Sequence, residues 1–307
     1  MSFMNYMCGK LLGDGCMTKQ DRRKPRFQFM HRTEDFGWTY HCYEQLVNDI
    51  PINRPAYRKV LDKRLSKGFS ESYVVQSKTD ELITSLYKIW YPQGKKRLPK
   101  QWIQQHMDER SLAWWYQDDG HLKIVNGVMH KIILSTDSFT NEEIEFLKCL
   151  LWNKWKLHFK TDAQNRLILY DKFQIHYFLH LVSPWLHESM NRKSLVIQPL
   201  QPIATRTTIY LPSIYKIEKP TAEINEKLNS LVTLFIDSTT NTVCTNHIFH
   251  TFLQLRSEPK DMNNYQIVIR EAHRLNLARI RQQTGLTISE LVEYCFECNS
   301  FNRAIVF

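Results

Sequence analysis

The stretch YMCGKLLGDG, at residues 6–15, is a short apolar segment that ends in an acidic residue between two glycines. A second stretch of the same kind, LAWWYQDDG, occupies residues 112–120. Each is typical of a helix that ends near its last glycine, because glycine interrupts helical structure. Asp14 and Asp119 hold equivalent places, each directly before that glycine. The two stretches therefore predict two related units in one chain.

The segments that follow these stretches also share one order: hairpin, helix, hairpin and helix. In the second unit, the hairpin over 121–135 turns through Asn126-Gly127, a strong two-residue turn signal. The next helix begins with Thr140 as N-cap and Glu143 at the third helical position, the pattern of a capping box. This order predicts an internal repeat of roughly 100 residues.

Composition excludes several classes of protein. The chain has 307 residues, of which 43% are hydrophobic, and only 9 glycines and 11 prolines, so a disordered or collagen-like chain is excluded. No apolar run approaches the roughly 18 residues of a membrane span, and no basic segment with an apolar core begins the sequence. Seven scattered cysteines indicate reduced thiols. We expect no membrane partner and no secretion, and a reducing compartment: the cytoplasm of a bacterial or phage-infected cell, or an organelle matrix.

The positive charge is concentrated in the first two thirds of the chain. The net charge is +10, of which residues 201–307, with 11 basic and 10 acidic side chains, contribute +1. Residues 1–200 therefore contribute +9. A surplus of lysine and arginine favours a polyanion-binding face and hence nucleic acid, because phosphates attract cations. The alternative is a soluble protein that is merely basic.

The two aspartates indicate metal chemistry. Two helices packed through Gly9, Gly13 and Ala113 would bring Asp14 and Asp119 together at one end. Paired carboxylates beside a basic groove repel phosphate unless they hold divalent ions. Such ions activate water and stabilise a leaving oxygen in phosphodiester hydrolysis. The alternative for each aspartate alone is an ordinary Asp-Gly turn.

The two stretches resemble the signature helices of the LAGLIDADG homing endonuclease family, and in particular its single-chain, two-repeat mitochondrial intron members. The flanking segments LPKQWIQQHMDERSLAWWYQDDGHLK and STDSFTNEEIEFL extend the resemblance to about residues 5–198. It implies an α+β fold of two pseudo-symmetric αββαββα repeats, over 1–95 and 96–200, that form a saddle on double-stranded DNA. A mostly α accessory domain over 201–307 lies outside it.

The resemblance also implies an activity. It is double-strand cleavage of a long DNA target that depends on Mg²⁺, with Mn²⁺ as a substitute, and leaves short 3′ overhangs. A monomer is expected. Some members assist intron splicing as RNA maturases, so binding of intron RNA is one alternative. A DNA-binding regulator is another.

Catalytic roles carry over by position. Asp14 and Asp119 match the metal-binding catalytic aspartates of the family. Lys96 and Lys193 match basic residues near the active site, where a lysine could orient the attacking water or stabilise charge on the phosphate. The alternative for each lysine is a solvated surface charge. We expect Asp118 to face away from the metals or to support Asp119.

The predicted strands supply candidate DNA contacts. Arginine and glutamine suit base edges in the major groove, whereas lysine mainly suits phosphates. The candidates are Lys19, Arg22, Arg23, Lys24, Arg26, Gln28, Arg32, Arg58, Lys59, Lys63, Lys78, His121, Lys123, Lys131, Lys160 and Arg166.

The C-terminal third predicts a strand over 205–212 and, later, a helix–turn–helix segment. Gly285 separates two helices over 275–284 and 287–297, with Thr287 as N-cap. This arrangement favours either a ribbon-helix-helix or helix-turn-helix DNA module, or an accessory domain for packing or protein contacts. Local spacing typical of zinc ligands is present, although buried thiols are the favoured interpretation. The residues concerned are Cys244, His247, His250, Cys295 and Cys298.

Overall fold

A computed structural model describes residues 2–197, 199–235, 245–256 and 260–304. These residues form helices and antiparallel sheets, as the α+β prediction required. No helix in these ranges is long and apolar enough to span a bilayer.

The elements follow the predicted order closely. The helices are α1 Ser2–Leu12, α2 Phe36–Leu46, α3 Glu81–Trp90, α4 Lys100–His106, α5 Glu109–Asp119, α6 Asn141–Trp155, α7 Lys172–Val182, α8 Pro220–Lys227, α9 Leu231–Phe235, α10 Thr245–Leu255, α11 Glu271–Thr284 and α12 Ile288–Ala304. The strands are β1 Cys16–Thr18, β2 Arg26–Arg32, β3 Ala56–Leu61, β4 Phe69–Gln76, β5 Gly120–Val125, β6 Val128–Leu134, β7 Lys160–Thr161, β8 Leu167–Leu169, β9 Arg206–Pro212 and β10 Met262–Val268.

The chain divides into two compact units. The first unit comprises residues up to 123, 131–169 and 178–195, and the second comprises 124–130, 170–177 and the described residues from 196 onward. The predicted boundaries of three domains, at 95/96 and 200/201, stay predictions.

In the first unit, helices α1 and α5 pack closely side by side. A Cβ atom added at Gly9 would lie 2.5 Å from the backbone oxygen of Ser111, and one added at Gly13 would lie 2.5 Å from the Cβ of Asp118. Only glycine leaves room for this approach, because any larger residue would push the helices apart. The small residues therefore do what the sequence predicted: they allow the two helices to meet.

The two four-stranded sheets have the same strand order. The first sheet runs β1-β2-β4-β3 and the second runs β5-β6-β8-β7. In β2, Phe27 and Phe29 are buried while Arg26 is exposed, the alternation of a strand with one buried face. In the second sheet, Asn126 and Gly127 both have positive φ values, of 51° and 73°, as a two-residue hairpin turn requires.

Local capping signals fix several helix starts. The Thr140 hydroxyl accepts from the Glu143 backbone N–H, and the Glu143 carboxylate accepts from the Thr140 backbone N–H, which confirms the capping box. Asp80 caps α3 by accepting from the backbone N–H of Leu82 at 2.7 Å. These contacts satisfy backbone N–H groups in the first turns of α3 and α6.

The second unit contains an antiparallel ribbon, β9 with β10, in which Ile209 lies opposite Tyr265. Helix α11 ends at Gly285, whose φ of 72° is the left-handed conformation of a helix C-cap. Thr287 then exchanges hydrogen bonds with Glu290 at the start of α12. The predicted helix, glycine turn and helix are confirmed. The function of this unit stays a prediction.

The structure describes only some of the residues with spacing typical of zinc ligands. Cys244 and the side chain of His247 lie outside the described residues. His250 is exposed on α10, whereas Cys295 on α12 is buried. The six cysteines with described side chains, Cys8, Cys16, Cys42, Cys149, Cys295 and Cys298, are free thiols.

Candidate active site

The candidate active site lies where helices α1 and α5 end. Asp14 follows the last residue of α1 by two positions, and Asp119 is the last residue of α5. Because the helices pack side by side, both carboxylates reach the same region, and the charge of Asp119 acts on the titration of Asp14. The Asp14 side chain keeps 36% of its surface exposed, so solvent and ligand can reach it.

The lysines near these two carboxyl groups do not offset the effects of burial and of Asp118 on their pKa values. Burial and the neighbouring Asp118 raise the pKa of Asp14 to about 7, and the same two causes raise the pKa of Asp119 to about 6. Within the described ranges, Asp119 forms no ion pair. The Asp14 carboxylate lies 3.6 Å from the Nε2 of His31, but burial and Lys10 lower the pKa of that imidazole and favour its neutral form. A divalent cation stabilises the ionised form of two carboxyl groups whose pKa values are raised in this way. Their oxygen atoms are the ligands that Mg²⁺ prefers, so Asp14 and Asp119 fit this metal.

Lys193 is buried, with 7% of its surface exposed, and holds the end of α5. Its Nζ donates hydrogen bonds to the backbone oxygens of Tyr116, Gln117 and Asp118, at 3.0, 2.5 and 3.3 Å. Burial lowers its pKa to about 8, although Asp118 and Asp14 oppose this shift. A cation at a helix C-terminus is stabilising because the terminal carbonyls carry partial negative charge. The lysine thus fixes the residue next to Asp119.

Lys96 lies on the other side of the site. Its Nζ donates to the backbone oxygen of Gly15 at 3.3 Å, directly after Asp14. Burial lowers its pKa, whereas the charges of Cys16 and Asp119 oppose the shift. The structure therefore brings both predicted lysines to the predicted aspartates. The catalytic roles of the four residues stay predictions.

The Asp118 carboxylate is turned toward α1, and whether it faces away from a bound metal or supports Asp119 stays a prediction. The carboxylate of Asp118 is fully buried and accepts hydrogen bonds from the Nζ of Lys10 at 2.7 and 3.0 Å. It also accepts from the Nε1 of Trp38 at 2.8 Å and from the backbone N–H of Asp14 at 3.1 Å. Burial alone would raise the pKa of Asp118, but Lys10 and His31 outweigh it and hold that pKa well below its ordinary range. Asp118 therefore acts on Asp14, because these bonds turn its carboxylate toward α1.

Lys10 and His31 are the residues that the sequence analysis missed. Lys10 lies inside an apolar helix, a position that indicates a buried partner of opposite charge. The sequence did not identify that partner, Asp118, because it is 108 residues away. His31 lies on the buried face of β2, and its Nε2 is 2.9 Å from the Nζ of Lys10. The sequence around a single histidine in a strand does not indicate whether the side chain binds a buried lysine, as His31 does, or only packs in the core.

A polar cleft of about 320 Å³ opens beside Asp14. Its positively charged lining includes Arg32, Arg192 and Lys193. The guanidinium of Arg192 binds both carboxylate oxygens of Asp35, at 2.8 and 3.0 Å, and is held in place by this bidentate pair. The cleft therefore presents cations around a carboxylate, an arrangement that suits a phosphate bridged by a metal ion.

The predicted DNA-contact residues all lie on strands of the two four-stranded sheets or on the segments adjoining them. Thirteen of the sixteen are exposed, whereas Gln28, Lys131 and Arg166 are partly exposed. Arg166 forms an ion pair with Asp162 at 2.7 Å, and Gln28 accepts a hydrogen bond from Gln76 at 3.0 Å. These two side chains therefore already have partners within the protein. DNA contact by any of the sixteen stays a prediction.

Two helices that end near Asp14 and Asp119, next to two four-stranded sheets that expose cations, are typical of a nuclease. The chain belongs to the LAGLIDADG DNA endonuclease family, whose model matches residues 4–178. The structure also resembles that of the homing endonuclease I-WcaI bound to its DNA recognition sequence. That match has a TM-score of 0.55 and 22% identity, and covers 63% of this chain and 85% of the other.

Three relatives extend the comparison. An uncharacterized protein of Methanocaldococcus jannaschii is 30% identical over 202 residues, 61% of this chain and 71% of its own. The intron-encoded endonuclease ai4 of Dictyostelium discoideum is 32% identical over 130 residues, 40% of this chain and 77% of its own. The cytochrome b mRNA maturase bI2 of Debaryomyces hansenii is 26% identical over 199 residues, which are 62% of this chain and 72% of its own. The family assigns this protein to the nuclease class of hydrolases.

Proposed function

We propose that this protein is a site-specific homing endonuclease that cuts both strands of a long DNA target and leaves short 3′ overhangs. The observation that carries the proposal is the pair Asp14 and Asp119 at the touching ends of α1 and α5. The raised pKa values of these two carboxyl groups support the proposal, because a bound cation would stabilise their ionised forms. When Mg²⁺ is bound there, it supplies a Lewis acid that activates water and stabilises the leaving oxygen.

The side chains of the protein would have separate tasks. Asp14 and Asp119 hold the metal, and Mn²⁺ can replace Mg²⁺ because both accept carboxylate oxygen ligands. Lys193 keeps the end of α5 in place through its three carbonyl contacts. Lys96, next to Gly15, adds positive charge where charge builds up on the phosphate. The strand-borne cations hold the DNA backbone over this site.

The test uses the full chain, Mg²⁺ and DNA from a copy of its locus that lacks the inserted element. Wild-type protein should produce double-strand breaks, whereas Asp14→Asn and Asp119→Asn should each lower the cleavage rate at least about a hundredfold. Asp137→Asn is the matched control, because Asp137 is an exposed aspartate in the turn after β6. Full cleavage by Asp14→Asn would remove the assigned role.

The maturase relative from Debaryomyces hansenii supports a second candidate function, assistance in intron splicing. The same surface cations could hold folded RNA, because phosphate contacts are shared by both nucleic acids. Splicing of the surrounding intron by a protein that cuts no DNA with any divalent metal would favour the maturase. Tight binding to one duplex without cleavage or splicing would instead favour the DNA-binding regulator.

A further inference from the structure

Asp14, His31 and Asp118 carry a compact group of donor atoms at the candidate active site. One oxygen or nitrogen atom from each residue lies within 4.8 Å of the others, a spacing that a metal ion could bridge. The Nζ of Lys10 lies 2.7 Å from Asp118 and 2.9 Å from His31. An ammonium group thus occupies the place of a cation. We call Lys10, Asp14, His31 and Asp118 the Lys10 cluster.

We propose that Lys10 is a resident cation of this cluster. Its ammonium takes the position that a divalent ion would otherwise occupy, holds Asp14 in place through Asp118, and confines divalent ions to the Asp14–Asp119 side. The position of the ammonium is independent of the proposed nuclease function. The confinement of divalent ions to the Asp14–Asp119 side rests on the proposed nuclease function.

The ammonium has every contact that a buried charge requires. Lys10 and the side chain of Asp118 have no exposed surface. The three protons of the ammonium are accounted for by the two oxygens of Asp118, at 2.7 and 3.0 Å, and the ring nitrogen of His31. The aromatic rings of Phe29 and Trp38 also face the Nζ, at 4.4 and 5.2 Å. A buried ion is stable only with such complete pairing, so this lysine cannot leave without replacement.

His31 presents a lone pair to the ammonium, as it would to a metal. Its Nδ1 lies 2.9 Å from the hydroxyl oxygen of Thr39, and that hydroxyl donates to the backbone oxygen of Asp35 at 3.1 Å. The hydroxyl proton is therefore used, and Nδ1 must carry the proton of the imidazole. Nε2 is then the acceptor that faces Lys10. The orientation of a metal-binding histidine is commonly fixed in this way, by a hydrogen bond at its other nitrogen.

Asp118 transmits the position of Lys10 to Asp14. One of its oxygens accepts from the backbone N–H of Asp14 at 3.1 Å, while the other accepts from Trp38 and Lys10. The end of α1 is also closed by a hydrogen bond from the Gly15 N–H to the Lys10 backbone oxygen, at 2.7 Å. Asp14 is thereby held from two directions, and Lys10 is a positioning residue for it.

The first experiment counts Mn²⁺ ions bound to the full-length, DNA-free protein by electron paramagnetic resonance. Lys10→Met should bind one more Mn²⁺ per chain than wild type. Its Tm should be low in EDTA and rise by about 5 °C or more with saturating Mn²⁺. Adding His31→Phe to Lys10→Met should abolish the extra ion. Lys63→Met, at an exposed lysine after β3, is the control and should match wild type. An unchanged ion count in Lys10→Met would overturn the proposal.

A second variant keeps the test decisive if Lys10→Met fails to fold. His31→Phe alone, with Lys10 present, should leave the number and affinity of bound Mn²⁺ ions unchanged, because His31 binds the ammonium. Loss of an ion on His31→Phe would show that a metal reaches the cluster in the native protein, and the proposal would be wrong.

The positioning role has its own test. Lys10→Leu with Asp118→Asn removes both charges of the ion pair and keeps an oxygen that can accept from the Nε1 of Trp38, so no buried ion is left unpaired. This double variant should keep a Tm close to wild type but bind Mn²⁺ at Asp14 and Asp119 about tenfold more weakly. Wild-type affinity in the double variant would overturn the positioning role. Failure of wild-type protein to cut DNA would contradict only the proposed function, because these readouts measure metal binding and stability.

Discussion

Lys193 and Tyr116 hold each other by two reciprocal hydrogen bonds. The Nζ of Lys193 donates to the backbone oxygen of Tyr116 at 3.0 Å, and the Tyr116 hydroxyl donates to the backbone oxygen of Lys193 at 2.8 Å. The pair ties the segment that carries Lys193 to the helix that carries Asp119, across 77 residues of chain. The positions of the candidate catalytic residues Lys193 and Asp119 therefore depend on each other.

Removal of the Tyr116 hydroxyl should destabilise the protein. Tyr116→Phe leaves the buried backbone oxygen of Lys193 without a donor, so we expect the free energy of unfolding to fall by about 1–3 kcal/mol in urea titrations. Tyr210→Phe is the control, because 52% of the Tyr210 surface is exposed. An equal effect of the two substitutions would contradict the pairing.

A methyl group at Gly13 should separate the two central helices. The added Cβ would lie 2.5 Å from the Cβ of Asp118 and 2.7 Å from one of its carboxylate oxygens. We expect Gly13→Ala to lower the free energy of unfolding by about 1–3 kcal/mol, because neither helix has room to yield. Ser2→Ala, at an exposed position of the same helix, should have little effect. Thermal denaturation of both variants, followed by circular dichroism, provides the comparison.

Metal affinity should rise with pH. The carboxyl groups of Asp119 and Asp14, with pKa values of about 6 and about 7, must lose their protons before a divalent ion binds. Between pH 6 and pH 7 the affinity should therefore increase about tenfold, and it should level off above the pKa of Asp14. Calorimetric titration of Mn²⁺ in two buffers of different ionisation enthalpy measures both the affinity and the protons released. A pH-independent affinity would show that these carboxyls are not the ligands.

The loop between β1 and β2 should contribute phosphate contacts. Lys24 is exposed there, and we expect Lys24→Ala to reduce the slope of log affinity against log salt concentration by about one. Lys216→Ala is the comparison, because Lys216 is also exposed but lies outside the part of the chain that matches the family. Fluorescence anisotropy with target duplex at several salt concentrations yields both slopes. An unchanged slope for Lys24→Ala, with a reduced one for Lys216→Ala, would place the DNA on the second unit.

Local signals explain why much of the fold was predictable. The capping box of Thr140 and Glu143 and the turn at Asn126 and Gly127 depend on residues within three positions of each other. Their physical causes are contained in the sequence window itself. Asp14 and Asp119 were identifiable because the same context occurs twice.

The interior of the site could not be predicted in the same way. The partners of Asp118 could not be predicted because its orientation depends on Lys10, Trp38 and the Asp14 backbone, all more than 75 residues distant. Periodicity places Lys10 on the packed face of α1, but it does not identify Asp118 as the carboxylate that pairs with Lys10. Pairing across so long a separation is decided by the tertiary arrangement of the two helices.

The ion pair between Lys10 and Asp118 has a consequence for protein engineering and for evolution. Each of the two predicted halves, residues 1–95 and 96–200, contributes one buried charge to this pair. A chimera that replaced one half with that of a relative lacking the matching residue would bury an orphan ion. The two halves are therefore expected to be inherited as a matched set, and an exchange of halves between relatives must keep both Lys10 and Asp118.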